Sequence, residues 1–168
     1  MKPTSASIRL LNRQIEAAKR GQVTWISRLL QEVIPFNRPH RLRVETLSDQ
    51  SCTIFLPFRR RNKNHLGTMH ACAIATASEY AAGMCVLATL GVGGFRLIMS
   101  DLHVSYVRRG ETDCQATATF PGDVKQGMMR SLDTEGKAQF DMVSEVSDVK
   151  GQTVARAVVT WHVKRMDV

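Results

Sequence analysis

The sequence predicts an α+β fold in which an antiparallel sheet curves around one long helix, with additional helices ahead of it. Three observations carry that prediction. Residues 69–90 form a run of small and apolar residues with a single acid, Glu79. On either side of the run, apolar residues alternate at period two, the strand spacing. Before them, apolar residues recur three and four apart, the spacing of a helix with one buried face.

In residues 7–33, Ile8, Leu11, Ile15 and Ala18 mark one stripe, and Ile26, Leu29, Leu30 and Val33 mark another after Gly21. This predicts one or two helices covering a sheet, ended by Pro35. Residues 41–58 change period: Leu42, Val44 and Leu47, then Cys52, Ile54, Leu56 and Phe58, read as two strands joined by Ser48-Asp49-Gln50-Ser51. Pro57 belongs at a strand terminus or edge. Residues 69–90 are the long helix. Its short side chains let surrounding backbone approach, and it lacks the broad charged face of a surface helix. After Gly91, Gly93 and Gly94 come four strand-like segments, 96–107, 113–120, 138–148 and 153–164, the last two joined by the tight turn Val149-Lys150-Gly151-Gln152. Residues 121–136 show no clear period and read as a loop or a short turn of helix. The expected organisation is a helical extension over 1–40 and one compact unit over 41–168.

Composition narrows the function classes. Cys52, Cys72, Cys85 and Cys114 have no paired spacing and sit among apolar or small residues, as expected of reduced core cysteines in a cytoplasmic protein. The N-terminus leads into a charged amphipathic stretch, unlike a secretory leader. Glu79 and the glycines at 91–94 interrupt the most apolar stretch, so no membrane span is expected. A formal charge of +8 favours an anionic partner without naming it. Few aromatics, no zinc-finger spacing and no glycine-lysine phosphate loop argue against nucleic acid. His40, His65, His103 and His162 share no metal-ligand pattern with an acid or cysteine, so neither metal nor cofactor is expected.

The informative stretch is Asn64-His65-Leu66-Gly67-Thr68-Met69-His70. A helix beginning just after it leaves first-turn N–H groups unpaired, and Thr68 or a neighbour can cap only some of them. The Ala71 amide is then a candidate donor to a carbonyl oxygen that gains negative charge, while Gly67 lets the chain turn closely. An ordinary capped helix has the same spacing. Glu79 follows His70 by nine residues, about 13 Å along a helix and roughly half a turn around it. The two cannot serve one small reacting group within a chain, so a shared site needs two chains related by a two-fold axis. Ala75, Thr76, Ala82 and Gly83 surround Glu79 with small side chains, and Thr76 is placed to donate to its carboxylate. An ion pair with an arginine is the plainer reading of Glu79, and for His70 the choice lies between a substrate contact and a hydrogen bond to the loop holding Asn64.

Asn64, Gly67 and His70, followed by Glu79 on the next helix, resemble the signature of hotdog-fold thioesterases of the phenylacetate-pathway type. The whole run from Asn64 to His70, taken with the N-terminal helices, is similar to the hotdog proteins grouped as DUF4442. The resemblance spans residues 41–164, though its specific motif is short. It implies that a backbone amide just after the histidine polarises a thioester carbonyl, and that an acid nine residues after the histidine acts as nucleophile or base from the partner subunit. Those positions are Ala71 and Glu79. Alanine keeps the amide where the family has glycine. Glutamate is one methylene longer than the family's aspartate, and Cys72 stands where a second glycine is common, which points to a changed substrate or a weak catalyst.

Hydrolysis of an acyl thioester, acyl-CoA foremost, is the implied activity, with Asn64 holding water or the thioester oxygen and with Gly67, Thr68 and Thr76 lining the substrate. Arg59-Arg60-Arg61-Asn62-Lys63 and Arg108-Arg109 are candidates for the CoA phosphates; solvated surface is the alternative for each cluster. Phe55, Phe58, Tyr80, Phe95 and Phe140, with Met84, Met99, Met128, Met129 and Met142, are candidates for an acyl pocket. The implied assembly is a homodimer with its sheets joined edge to edge, or a tetramer of such dimers. Two other readings share the fold: an acyl-CoA or lipid-binding dimer without turnover, and a hydratase or dehydratase. His65 stands 14 residues before Glu79, the dehydratase spacing, but residues 66–77 lack the proline expected there.

Overall fold

The computed structural model describes residues 4–166, so the outermost parts of the expected extension and compact unit, and the first residues of the N-terminal reading, lie outside it. Gly21, at φ 89°, divides the helical stretch into α1 (Ser5–Lys19) and α2 (Val23–Val33). Thr4 caps α1 by accepting from the Ser7 amide at 3.2 Å. Leu11, Ile15 and Ala18 of α1 and Ile26 and Leu30 of α2 are buried as their spacing predicts. Val33, at the end of its stripe, is exposed. Beyond α2 the chain makes a 3-10 turn over Pro35–His40, a feature with no periodic signal.

Six antiparallel strands form one sheet: β1 (Arg43–Leu47), β2 (Ser51–Leu56), β3 (Phe95–Tyr106), β4 (Cys114–Thr119), β5 (Lys137–Asp148) and β6 (Thr153–Arg165), in spatial order β1-β2-β4-β5-β6-β3. Burial alternates along β2, β4 and β5, and the inward residues include Cys52, Ile54, Leu56, Ala116, Ala118, Met142 and Val146. They pack on α3 (Ala71–Leu90), which lies in the curve of the sheet. This is the hotdog fold. Small residues allow the close wrap: a Cβ added to Gly83 would come within 3.2 Å of the Trp161 ring on β6. By length and hydropathy α3 is apolar enough to cross a membrane, but 67% of its most apolar window is buried inside the protein.

Residues 121–136, expected to be a loop or a short helical turn, instead hold α4 (Gly122–Glu135). Val124, Met128 and Leu132 recur every four residues and supply its narrow buried face, while Gly122 and Gly127 lower its helix propensity and mask the signal.

The two edges of the sheet differ. Along β1, the Ser27 hydroxyl on α2 accepts from the Val44 amide at 2.9 Å and donates to the Val44 carbonyl at 3.4 Å, and Gln31 donates to the Leu42 carbonyl at 3.3 Å. Helix α2 therefore satisfies backbone groups that an edge strand would otherwise offer to another chain. At the opposite edge, β3 pairs among the described residues only with β6, runs for 12 residues and is largely exposed, with Ile98, Met99 and Tyr106 in the open.

Candidate active site

The loop before α3 is built by its own side chains. Asn64 Oδ1 accepts from the Leu66 amide at 2.9 Å and the Thr68 amide at 3.2 Å, and Asn64 Nδ2 donates to the Thr68 hydroxyl at 3.0 Å. Gly67 supplies the left-handed turn at φ 77°, and its amide donates to the Asn64 carbonyl at 3.1 Å. The polar atoms of Asn64 and Thr68 are thus spent on holding the loop in shape.

The predicted helix start at Met69 moves two residues on. Met69 is in a bridge with Lys63, and its amide donates to the Gly110 carbonyl at 2.7 Å. Of Thr68 and its neighbours, His70 is the N-cap: its Nδ1 accepts from the Cys72 amide at 3.0 Å, which puts the neutral ring's proton on Nε2. The His70 amide donates to the backbone carbonyl of Asn62 at 2.7 Å. Asn62, fully buried, was not singled out by any motif, yet its Nδ2 donates to the carbonyls of His40 and Pro57, each at 2.9 Å, and its Oδ1 lies 3.0 Å from His40 Nδ1. One asparagine ties the 35–40 turn, the end of β2 and the start of α3 together. The Ala71 carbonyl accepts from the Tyr106 hydroxyl at 3.0 Å, while the Ala71 amide, exposed at the first helical position, has no acceptor among the described residues.

Two turns along α3, Glu79 opens into a cavity of about 560 Å³. Cys72, Thr76 and Gly83 share its helical face. Apolar walls come from Tyr80, Met84, Phe95, Leu97, Met99 and Trp161, and Ile34, just ahead of the 35–40 turn, closes one side with Phe36 and Asn37 of that turn. Of the aromatic and methionine candidates, Tyr80, Phe95, Met84 and Met99 line this space, whereas Phe55, Phe58, Phe140, Met128, Met129 and Met142 do not. No arginine or other hydrogen-bond partner reaches the Glu79 carboxylate among the described residues. The expected Thr76–Glu79 hydrogen bond is not formed, because the Thr76 hydroxyl donates to the Cys72 carbonyl at 2.8 Å. Burial without a compensating charge pushes the Glu79 carboxyl up from its ordinary 4.5 to about 7. The Trp161 indole N–H, also buried, has no acceptor among the described residues. Neither His70 nor Ala71 lines this cavity, so one chain keeps the helix start and the acid apart.

Cys72 is exposed, contrary to the expectation of four core cysteines; Cys52, Cys85 and Cys114 are buried, and burial pushes the last two thiols up to about 12 and about 11. No group of three His, Cys, Asp or Glu side chains able to hold a metal occurs among the described residues. The basic cluster before the loop divides. Arg59 and Arg61 face a separate cleft beside α2, Arg60 lines neither concavity, and the Lys63 ammonium sits 3.7 Å from the centre of the Phe58 ring. Arg108 and Arg109 are exposed just past β3, brought to the helix start by the Met69–Gly110 bond.

The sequence matches a protein family described as a domain of unknown function, DUF4442, over residues 23–163. Solved structures share the fold. A Pseudomonas aeruginosa protein of unknown function, described as a probable thioesterase, is 24% identical with TM-score 0.76, over 85% of this chain and 96% of the other. A thioesterase from Haemophilus influenzae is 11% identical with TM-score 0.65, over 82% and 90%. A mutant thioesterase from Staphylococcus aureus is 14% identical with TM-score 0.62, over 77% and 98%. No curated protein matches the sequence.

Proposed function

We propose that this chain, which belongs to the DUF4442 family, hydrolyses acyl thioesters at a site shared by two copies, with acyl-CoA as the substrate class. The carrying observation is Glu79: a carboxyl unpaired among the described residues, shifted to about 7 by burial, on the wall of a largely apolar cavity. A carboxyl with no structural partner in such a setting costs stability, and a base poised near neutrality is what water activation requires. The open β3 edge supplies the route to assembly. Pairing two copies there continues the sheet, covers exposed Met99 and brings the free Ala71 amide of one copy toward the Glu79 cavity of the other.

In this reading the thioester carbonyl oxygen accepts from the Ala71 N–H. Glu79 takes a proton from water as the water oxygen attacks the carbonyl carbon, and the Ala71 amide, aided by the positive end of α3, stabilises the negative charge that appears on the carbonyl oxygen. Collapse of the tetrahedral intermediate breaks the carbon–sulfur bond and returns that proton from Glu79 to the thiolate, giving acid and free thiol. His70 caps the helix and so holds the amide in place. Asn64, Gly67 and Thr68 shape the loop that sets the helix start. Thr76, Met84, Leu97 and Trp161 contact the acyl group, and Arg60, Lys63, Arg108 and Arg109 meet the CoA phosphates at the mouth. The thioesterase names carried by the structural neighbours support the reaction class, and a cytoplasmic setting, where CoA esters occur, accords with three buried reduced thiols.

A thiol-release assay over short, medium, long and aryl acyl-CoAs tests the reading against Glu79→Gln. Turnover by the wild type, lost in the variant, is expected. Saturable acyl-CoA binding with no thiol released by either protein would replace the enzyme with a carrier or sensor, a reading favoured only by the lack of any side chain orienting the Glu79 carboxylate.

A further inference from the structure

A second concavity of about 1130 Å³ lies between α2, the 35–40 turn, β1 and the residues after β2. Its wall carries six arginines, Arg28, Arg38, Arg41, Arg43, Arg59 and Arg61, against two acids, Glu32 and Glu45. The acids do not neutralise it. Among the described residues Glu32 reaches only Arg38, at 3.6 Å, and Glu45 accepts from Gln115 at 2.6 Å. Stacking on aromatic rings holds two of the guanidinium groups without cancelling their charge: Arg43 lies 4.3 Å from the centre of the Phe55 ring, and Arg28 lies 5.3 Å from that of Trp25. Arg41, at φ 53°, is the one residue other than glycine with positive φ among the described residues, and this costly backbone conformation falls where the chain enters the cleft.

Like charges gathered from four separate segments repel one another, and planar guanidinium forks match phosphate oxygens in pairs. A single monovalent anion leaves most of the charge unmet. The wall is also too polar for an acyl chain, with Thr24, Ser27 and Gln31 between the arginines. We propose that this cleft binds a small anion carrying several phosphates, of nucleotide size, at a site separate from the Glu79 cavity. The 35–40 turn forms the partition: Arg38 and Pro39 face the cleft, while Phe36 and Asn37 face the cavity. The proposal does not depend on thioester hydrolysis.

Titration calorimetry with inorganic triphosphate at low ionic strength tests it on the full chain. Saturable binding is expected, weakened at least tenfold in Arg28→Gln/Arg43→Gln and in Arg41→Gly, the latter removing a guanidinium while relieving the backbone. Lys137→Gln/Lys164→Gln, with the same charge loss on exposed strand positions away from the cleft, should bind within twofold of wild type. No saturable binding, undiminished binding by both cleft variants, or an equal loss in the lysine control would overturn the assignment. Competition with CoA then separates two sources of the phosphates. Displacement makes the cleft an anchor for the substrate's own phosphates, and simultaneous binding makes it the site of a distinct effector; both require the phosphate site proposed here.

Discussion

The backbone carbonyl of Asn62 receives the His70 amide at 2.7 Å, immediately ahead of the helix that carries both Ala71 and Glu79. The Asn62 side chain, wholly buried, makes three further polar contacts to His40 and Pro57. Replacing it with alanine leaves two carbonyls without their donor, so a loss of about 2–4 kcal/mol is expected. Urea denaturation measures that, and thiol release should fall with it because the residue 62 backbone, whose carbonyl anchors the helix start, loses the side-chain contacts that hold it in place.

Glu79→Gln should slow hydrolysis by about 10²–10⁴, the usual contribution of a general base. A neutral amide that left turnover intact would remove Glu79 from the mechanism.

The same group links stability to pH. Its folded-state pKa of about 7 lies above the ordinary 4.5, so between those values the folded protein binds more protons than the unfolded chain. Its protonation favours the fold, and stability falls as pH rises from about 4.5 to about 7, by up to about 3 kcal/mol. Glu79→Gln should lack that decline and be more stable than wild type at pH 8, measured by chemical denaturation across the pH range.

Activity should run the opposite way. The base must be ionised, so kcat/KM should climb through a single limb near pH 7 and level off above it. A profile flat from pH 5 to 9 would show that Glu79 does not titrate in the reaction.

Met99, 40% exposed on the open strand and facing the cavity, probes the assembly. Met99→Glu buries a carboxylate in the proposed seam and should shift light scattering from dimer to monomer with loss of activity. A wild-type protein that stays monomeric at micromolar concentration would undo the shared site directly.

Much of the fold is legible in apolar spacing. The alternation at Cys52, Ile54 and Leu56 and the stripe at Leu11, Ile15 and Ala18 identify β2 and α1 because burial of those faces is the dominant stabilising force. Helix α4 escapes because its buried stripe is one residue wide and the helix carries two glycines. The loop motif points to the right helix with its start two residues early, and its roles differ in detail: Thr76 spends its hydroxyl on its own helix, and His70 turns its ring to the cap. Short polar side chains bond to whatever backbone is nearest, and that choice leaves no trace in spacing.

Residue order alone establishes the strands, the central apolar helix, the lone acid nine positions beyond a histidine, and the impossibility of both acting on one group within a chain, since these follow from periodicity and helical rise. Contacts between distant segments decide the rest. That Glu79 finds no ion-pair partner among the described residues of so basic a chain, that Arg59 and Arg61 turn away from it, and that α2 bonds to backbone at one sheet edge while β3 stays open all depend on which surfaces meet when the sheet closes around α3.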